Sequence, residues 1–205
     1  MPHSQEALAR LIEREGLRDP RVAKAFQRID RADFVPEAAR RRAYADRPVA
    51  IPHEQTTSQP SLIARMIDVA APQPNDRVLE IGTGYGFQTA LLAELAAEVV
   101  SIDRFPALIE DARRNLAKAG IENAELVVGD GWKGWPERAP FQRIIVTAAP
   151  PEIPSVLVDQ LAVGGVMVVP VGRGFQQMTI VTRTEKGVAQ RRTIPVRFVP
   201  MVESR

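Results

Sequence analysis

One stretch of this chain restricts its fold more than any other. Arg77-Val78-Leu79-Glu80-Ile81-Gly82 is a short apolar strand that breaks on Gly82, Gly84 and Gly86 and runs straight into an apolar helix over 87–97. A strand, a tight glycine turn and a helix in immediate succession form the opening unit of a parallel α/β sheet. The alternation then continues. EVVSID (98–103) is a second strand and residues 106–119 a helix that stops at Gly120. ELVVGD (125–130) and QRIIVTA (142–148) are the third and fourth strands, a helix over 154–162 ends before Gly164-Gly165, and VMVVPV (166–171) is the fifth strand. MTIVTR (178–183), a Glu185-Lys186-Gly187 turn and TIPVRFV (193–199) predict a terminal antiparallel pair. Val/Ile-rich strands separated by helices imply a mostly parallel central sheet covered on both faces.

The segment before this core reads differently. Leu8, Leu11 and Ile12, then Val22, Phe26 and Ile29, have helical spacing, so residues 5–43 predict short helices. From Tyr44 to Gln59 the pattern is irregular, and Pro60 stands where a helix can begin. The expectation is one domain over 1–205: a helical cap and substrate-side loop over 1–60, packed over the carboxyl edge of the sheet, and an α/β core over 61–205. The sequence has no Cys, which excludes disulfides and thiolate metal sites. No apolar run approaches the roughly 18 residues of a membrane span, and the N-terminus lacks a secretory pattern, so a cytoplasmic location is expected; a monomer is the working expectation, with nothing in the sequence that fixes oligomeric state. A net charge of only +2, with acids interspersed among the arginines, argues against a nucleic-acid partner.

The glycine turn carries the first chemistry. Without Cβ atoms, the backbone at Gly82 and Gly84 can be approached closely by a ligand. The spacing is G-x-G-x-G, with Phe87 where a dinucleotide fingerprint needs its third glycine, and Glu80 lies two residues before the first. Asp103, 21 residues after Gly82 at the end of the second strand, can accept both hydroxyls of a ribose. Asp130, at the end of the third strand, can accept from an exocyclic adenine amine. Two such acids suit a nucleoside without phosphate. The alternatives are a plain strand-to-helix turn with capping acids, and a dinucleotide whose pyrophosphate finds no evident partner.

Other constellations carry less. His3 and His53 lack a nearby cluster of acids for a metal, so no metal is expected, and no G-x-S-x-G elbow supports a hydrolase. Trp132 and Trp135 are expected in packing roles. Thr56, Thr57 and Ser58 precede the helix start at Pro60, where hydroxyls and free N–H groups converge; a capping role for Ser58 is the alternative reading.

Taken together, these residues resemble the class I methyltransferases, and more narrowly the protein-L-isoaspartate O-methyltransferases. QTTSQPSLIARM (55–66), VLEIGTGYGFQTALLA (78–93), the long block over 127–172 and VRFVPM (196–201) are similar to motifs of that family, and the likeness spans roughly residues 20–201. The resemblance implies a Rossmann-like fold and transfer of a methyl group from S-adenosyl-L-methionine to the α-carboxylate of L-isoaspartyl residues in proteins or peptides. The ester then collapses to a succinimide and repair begins. It implies Ser58 and Thr56 as catalytic residues. Glu80, Gly82, Thr83, Gly84, Tyr85, Asp103, Arg104, Asp130 and Gly131 would hold the cofactor, and Thr57, His53, Val199 and Pro200 the substrate.

The chain departs from the family at one place. Where an I-G-x-G-Q-T-I-S pattern is usual, it reads Ile51-Pro52-His53-Glu54-Gln55-Thr56-Thr57-Ser58. Glu54 would repel a carboxylate acceptor by up to about a few kcal/mol at a few ångströms, unless it faces solvent or pairs with an arginine. A dedicated peptide or small-molecule substrate, or a non-catalytic cofactor-binding role, is the alternative this departure opens.

Overall fold

The computed structural model describes residues 3–202. Two N-terminal helices, α1 (Gln5–Glu13) and α2 (Pro20–Arg28), start on side-chain caps: Ser4 Oγ accepts from Ala7 N–H and Asp19 from Arg21 N–H. Short 3₁₀ turns over Arg31–Phe34 and Glu37–Arg42 lead to an antiparallel hairpin, β1 (Val49–Ile51) and β2 (Gln55–Thr57). Helix α3 (Pro60–Ala70) follows, opened by Pro60.

The core then alternates as β3 (Arg77–Ile81), α4 (Phe87–Ala93), β4 (Glu98–Asp103), α5 (Pro106–Lys118), β5 (Ala124–Val128), β6 (Phe141–Val146), α6 (Ser155–Asp159), β7 (Leu161–Val171), β8 (Gln176–Thr184) and β9 (Gly187–Val196). The seven strands lie in the order β5-β4-β3-β6-β7-β8-β9; β8 pairs antiparallel with both its neighbours, and the other pairs are parallel. The direction in which successive strands are added reverses between β3 and β6. In open α/β folds the crevice at such a switch point is where ligands bind.

The expected strands are present, with two shifts of boundary. Strand β7 begins at Leu161 and passes through Gly164-Gly165, because Leu161 still pairs with Phe141 across a register irregularity. The helix before it stops at Asp159 rather than 162. The irregular stretch 44–59 holds the β1–β2 hairpin. The cap also sits differently from expectation. Leu8, Ile12, Val22 and Phe26 share one buried cluster with Ile63, Met66 and Ile67 of α3 and Leu91 of α4, so α1 and α2 cover the helices of one face. It is the segment around the hairpin that reaches the carboxyl edge.

Candidate active site

The loops that leave β3, β4, β5 and β6 converge on one cleft at the switch point. Gly82 and Gly84, Asp103 to Phe105, Gly131, and Thr147 with Ala148 line it from the sheet. Ile51, Gln55 and Thr56 close it from the hairpin, and Val199 to Val202 from the C-terminal segment. Two glycines are required by the space. At Gly82, φ is +99° and a Cβ would lie 2.1 Å from Thr147 Oγ1. At Gly131 a Cβ would lie 2.4 Å from Ile81 Cγ2. Side chains at either position would force the walls apart.

Asp103 is built into this cleft. Its Oδ2 accepts from Gly84 N–H at 2.9 Å and Oδ1 from Phe105 N–H at 3.1 Å, leaving each oxygen a further lone pair. Burial raises the carboxyl above the ordinary aspartate range; backbone donors, chiefly Gly84 N–H, pull the other way. Arg104 lies over the Phe105 ring at 5.4 Å.

A second, smaller cavity lies between the turn and the hairpin, lined by Thr56 to Ser58, Gly82 to Tyr85, Phe87, Gln88 and Thr147. Gln88 donates to Glu80, while its own carbonyl oxygen is buried without a protein partner. A third cavity, a groove of about 720 Å³, opens toward solvent between Thr56, Ser58, Gln59, Thr147 and the 194–199 segment. Thr56 and Thr147 line all three spaces, and Ser58 lines the second and third. The junction is therefore walled by hydroxyls.

The pleat of β2 explains that wall. Alternate residues face opposite sides, so Thr56 is exposed to the cavities while Thr57 is buried. Thr57 Oγ1 accepts from Arg31 Nη2 at 3.0 Å. Thr57 thus anchors the segment to the cap while it also lines the small cavity. Ser58 Oγ has no protein partner among the described residues, and α3 starts without a side-chain cap, so Ser58 does not cap it. On the far side, Ala149 N–H donates to the Val199 carbonyl at 2.8 Å and Met201 N–H to the Ala149 carbonyl at 2.9 Å. This pairing holds Val199 and Pro200 beside Thr147 and makes Val199 a wall of both cleft and groove.

The remaining expected ligand residues stand apart from the cleft or serve it from its edge. Glu80 is fully buried behind the glycine turn and lines none of these spaces. It accepts from Gln88 Nε2 at 3.0 Å, Thr89 Oγ1 at 2.5 Å and Ser101 Oγ at 2.6 Å. Burial drives its carboxyl up to about 7, against those hydrogen bonds. Thr83 joins this network through Ser101 at 2.7 Å, and also lines the small cavity. His53 is exposed at the hairpin tip and stacks on Phe105, with ring centroids 4.6 Å apart, on the side of the cleft and not of the groove. Asp130 accepts from Trp132 N–H at 3.0 Å and holds the 130–133 turn; its neighbour Gly131 lines the cleft. Tyr85 lines the small cavity, its phenol raised by burial and by Asp111. Glu54 is exposed and lines neither cleft nor groove, so it faces solvent as a tolerated charge would.

Sequence reasoning misses Thr147, Gln88 and Phe105. Each lies one or two residues beyond a strand end or a glycine turn, which is the signal that could have found them.

This sheet order, with a cleft built from the loops after β3, β4, β5 and β6, defines the class as a class I methyltransferase. A Plasmodium falciparum protein solved in complex with S-adenosyl-L-homocysteine has the same fold at a TM-score of 0.86, with 24% identity over 99% of this chain and 100% of that one. A solved protein-L-isoaspartate O-methyltransferase matches at a TM-score of 0.86 and 30% identity over 96% of this chain, which spans 65% of that chain's length. The protein-L-isoaspartate(D-aspartate) O-methyltransferase family matches residues 3–205, and the chain belongs to it. A protein-L-isoaspartate O-methyltransferase of Synechococcus sp. strain JA-2-3B'a(2-13) is 47% identical over 206 residues, 97% of this chain and 84% of the relative.

Proposed function

We propose that the protein methylates the α-carboxylate of L-isoaspartyl residues in proteins or peptides, with S-adenosyl-L-methionine as cofactor. The observation that carries this reading is the junction itself: a narrow nucleoside-type cleft and an open groove meet at Thr56 and Thr147 beside Ser58. The residues present fit the cofactor. Gly82 and Gly131 leave room that a Cβ would fill, Asp103 offers lone pairs to ribose hydroxyls, and the buried Gln88 Oε1 lacks a donor that an ammonium would supply. When bound, S-adenosyl-L-methionine supplies an electrophilic methyl group on a sulfonium.

The chain's own work is positioning. A carboxylate with an ordinary pKa of about 4 is already ionised near neutral pH, so no general base is required. Ser58 and Thr56 hydroxyls donate to the acceptor carboxylate and aim one oxygen at the cleft, and Thr147 braces the turn through the Ile81 and Gly82 carbonyls at 2.9 and 3.0 Å. Hydroxyl donors orient an anion without pairing it as tightly as a cation would, which leaves its lone pair available. The groove is open and far larger than one side chain, as a peptide acceptor requires. Glu54 and Pro52 lie at the hairpin tip, away from that groove, whereas the third departure, Thr57 for the usual Ile, falls in the acceptor segment itself, where its hydroxyl accepts from Arg31.

Two matched peptides test the reading, one with L-isoaspartate and one with L-aspartate, each given methyl-labelled S-adenosyl-L-methionine. Base-labile label on the isoaspartyl peptide alone is the expected result. Equal labelling of both, or of neither while S-adenosyl-L-homocysteine binds, would overturn it.

A further inference from the structure

Arg31 is the largest side chain buried in full, at 0% exposure, and it lines none of the cavities. Its Nη1 donates to the Ala43 carbonyl at 2.7 Å and the Ala45 carbonyl at 3.0 Å. Its Nη2 donates to the Arg47 carbonyl at 3.2 Å, Thr57 Oγ1 at 3.0 Å and the Ser58 carbonyl at 3.0 Å. The guanidinium also lies 5.7 Å from the centroid of Phe87, the first residue of the helix that leaves the glycine turn. One planar group therefore ties together the loop over 43–47, the acceptor segment and the helix that carries the cofactor turn.

A buried cation without a contacting carboxylate is expensive for a fold. Burial lowers this group to about 10, with Asp46 the opposing charge, so it remains a cation at neutral pH. An apolar residue here would spare the fold that charge but would take the donor from the carbonyls of Ala43, Ala45, Arg47 and Ser58. What an apolar residue could not do is fix the Ser58 backbone relative to Phe87. The Ser58 carbonyl and Thr57 hydroxyl leave the same two residues whose neighbours, Thr56 and the Ser58 hydroxyl, face the junction. A rotation of this backbone would swing both hydroxyls away from the line joining groove and cleft.

We propose that Arg31 is a positioning residue for methyl transfer, setting through the Thr57–Ser58 backbone the placement of the Thr56 and Ser58 hydroxyls relative to the cofactor turn. Its effect rests on the fork of donors and not on charge alone, since a lysine ammonium has three donors and no plane. The proposal builds on the methyltransfer reading, and the experiment reads all rates relative to the unaltered protein, whose failure to methylate would instead count against that reading.

The test compares Arg31→Lys and Arg31→Gln with Ile12→Ala, which removes buried side chain from α1 and takes none of the Arg31 hydrogen bonds. Each is assayed well below its own melting temperature for kcat and KM on an isoaspartyl peptide and for Kd of S-adenosyl-L-homocysteine. Both Arg31 variants are expected to lose at least about tenfold in kcat, with KM and Kd changed less than about threefold. Ile12→Ala is expected to melt lower and keep its kcat. Unchanged kcat in Arg31→Lys overturns the proposal, as does an equal loss of kcat in Ile12→Ala. An Arg31→Lys protein that binds no S-adenosyl-L-homocysteine, even in the cold with a stabilising osmolyte, makes Arg31 a residue of the fold only and overturns it too.

Discussion

Replacing Glu80 by glutamine should leave stability little changed in acid and raise it progressively toward neutral pH. The carboxyl is fully buried, and burial raises it from 4.5 to about 7 in the folded protein despite donors from Ser101, Thr89 and Gln88. Below pH 4.5 both folded and unfolded chains carry the proton. Between 4.5 and about 7 the unfolded chain has released it while the folded chain retains it, so folding is favoured less with each step upward in pH. Above about 7 the group is ionised in both states and the whole cost is present, about 3 kcal/mol at about 1.4 kcal/mol per pH unit. A glutamine at this position can accept from Gln88 Nε2 and donate to the Thr89 and Ser101 hydroxyls, which can rotate to accept. The variant thus retains the network and loses the titration. Urea unfolding of both proteins at pH steps from about 4 to about 8.5 isolates the group and its weaker coupling to Asp103, because titrations that do not feel Glu80 cancel in the difference. The stability of Glu80→Gln relative to the unaltered protein should climb by about 3 kcal/mol between about pH 4.5 and about pH 8. Parallel stability curves across that window would refute the assignment of a proton-holding, buried Glu80.

Gly82→Ala should lose at least about a hundredfold in S-adenosyl-L-homocysteine affinity by calorimetry, since its Cβ would meet Thr147 Oγ1 at a φ that L-residues avoid. Ser58→Ala removes a hydroxyl donor to an anion, worth about 1.5–3 kcal/mol, so kcat/KM for an isoaspartyl peptide should fall about ten- to a hundredfold with cofactor affinity unchanged. Glu54 holds φ at +58° in the hairpin turn, and Glu54→Gly should raise the melting temperature by about 2–4 °C, for about 1 kcal/mol of relieved strain. Phe105→Ala removes both a wall of the cleft and the ring under His53, and should weaken S-adenosyl-L-homocysteine binding measurably without altering KM for the peptide.

The cofactor side is legible in the sequence because its information is local. A strand end, a glycine turn and a helix start are contiguous, and Asp103 announces itself by ending the next strand. Legibility fails where neighbours in space are distant in sequence. Glu80 stands two residues from Gly82, which suggests a ligand contact, yet the strand pleat turns it inward to Ser101 and Thr89, partners 21 and 9 residues away. The hairpin over 49–57 is hidden because Pro52-His53-Glu54-Gln55 is a poor hairpin turn by composition. His53 and Glu54 both take left-handed φ, +60° and +58°, where Asn-Gly would be the usual choice. Stacking of His53 on Phe105 and the pairing of Val49 with Thr57 hold that turn in place of a local preference.

The same asymmetry bears on how acceptor and cofactor sides can vary independently. The cleft is built from strand ends of a seven-stranded sheet, whose register fixes Gly82, Asp103 and Thr147 against one another. The acceptor wall has no such support. Thr56 and Thr57 belong to a three-residue strand paired with another of three, Ser58 follows it, and beyond that short ladder one guanidinium from the cap holds the segment through Thr57 Oγ1 and the Ser58 carbonyl. A substitution in the hairpin tip, such as Pro52 or Glu54 here, can therefore be absorbed without moving the cleft. A change at Arg31 instead shifts the acceptor wall against an unmoved cleft, because its guanidinium holds the Thr57–Ser58 backbone and packs against Phe87 at the start of the helix that leaves the cofactor turn.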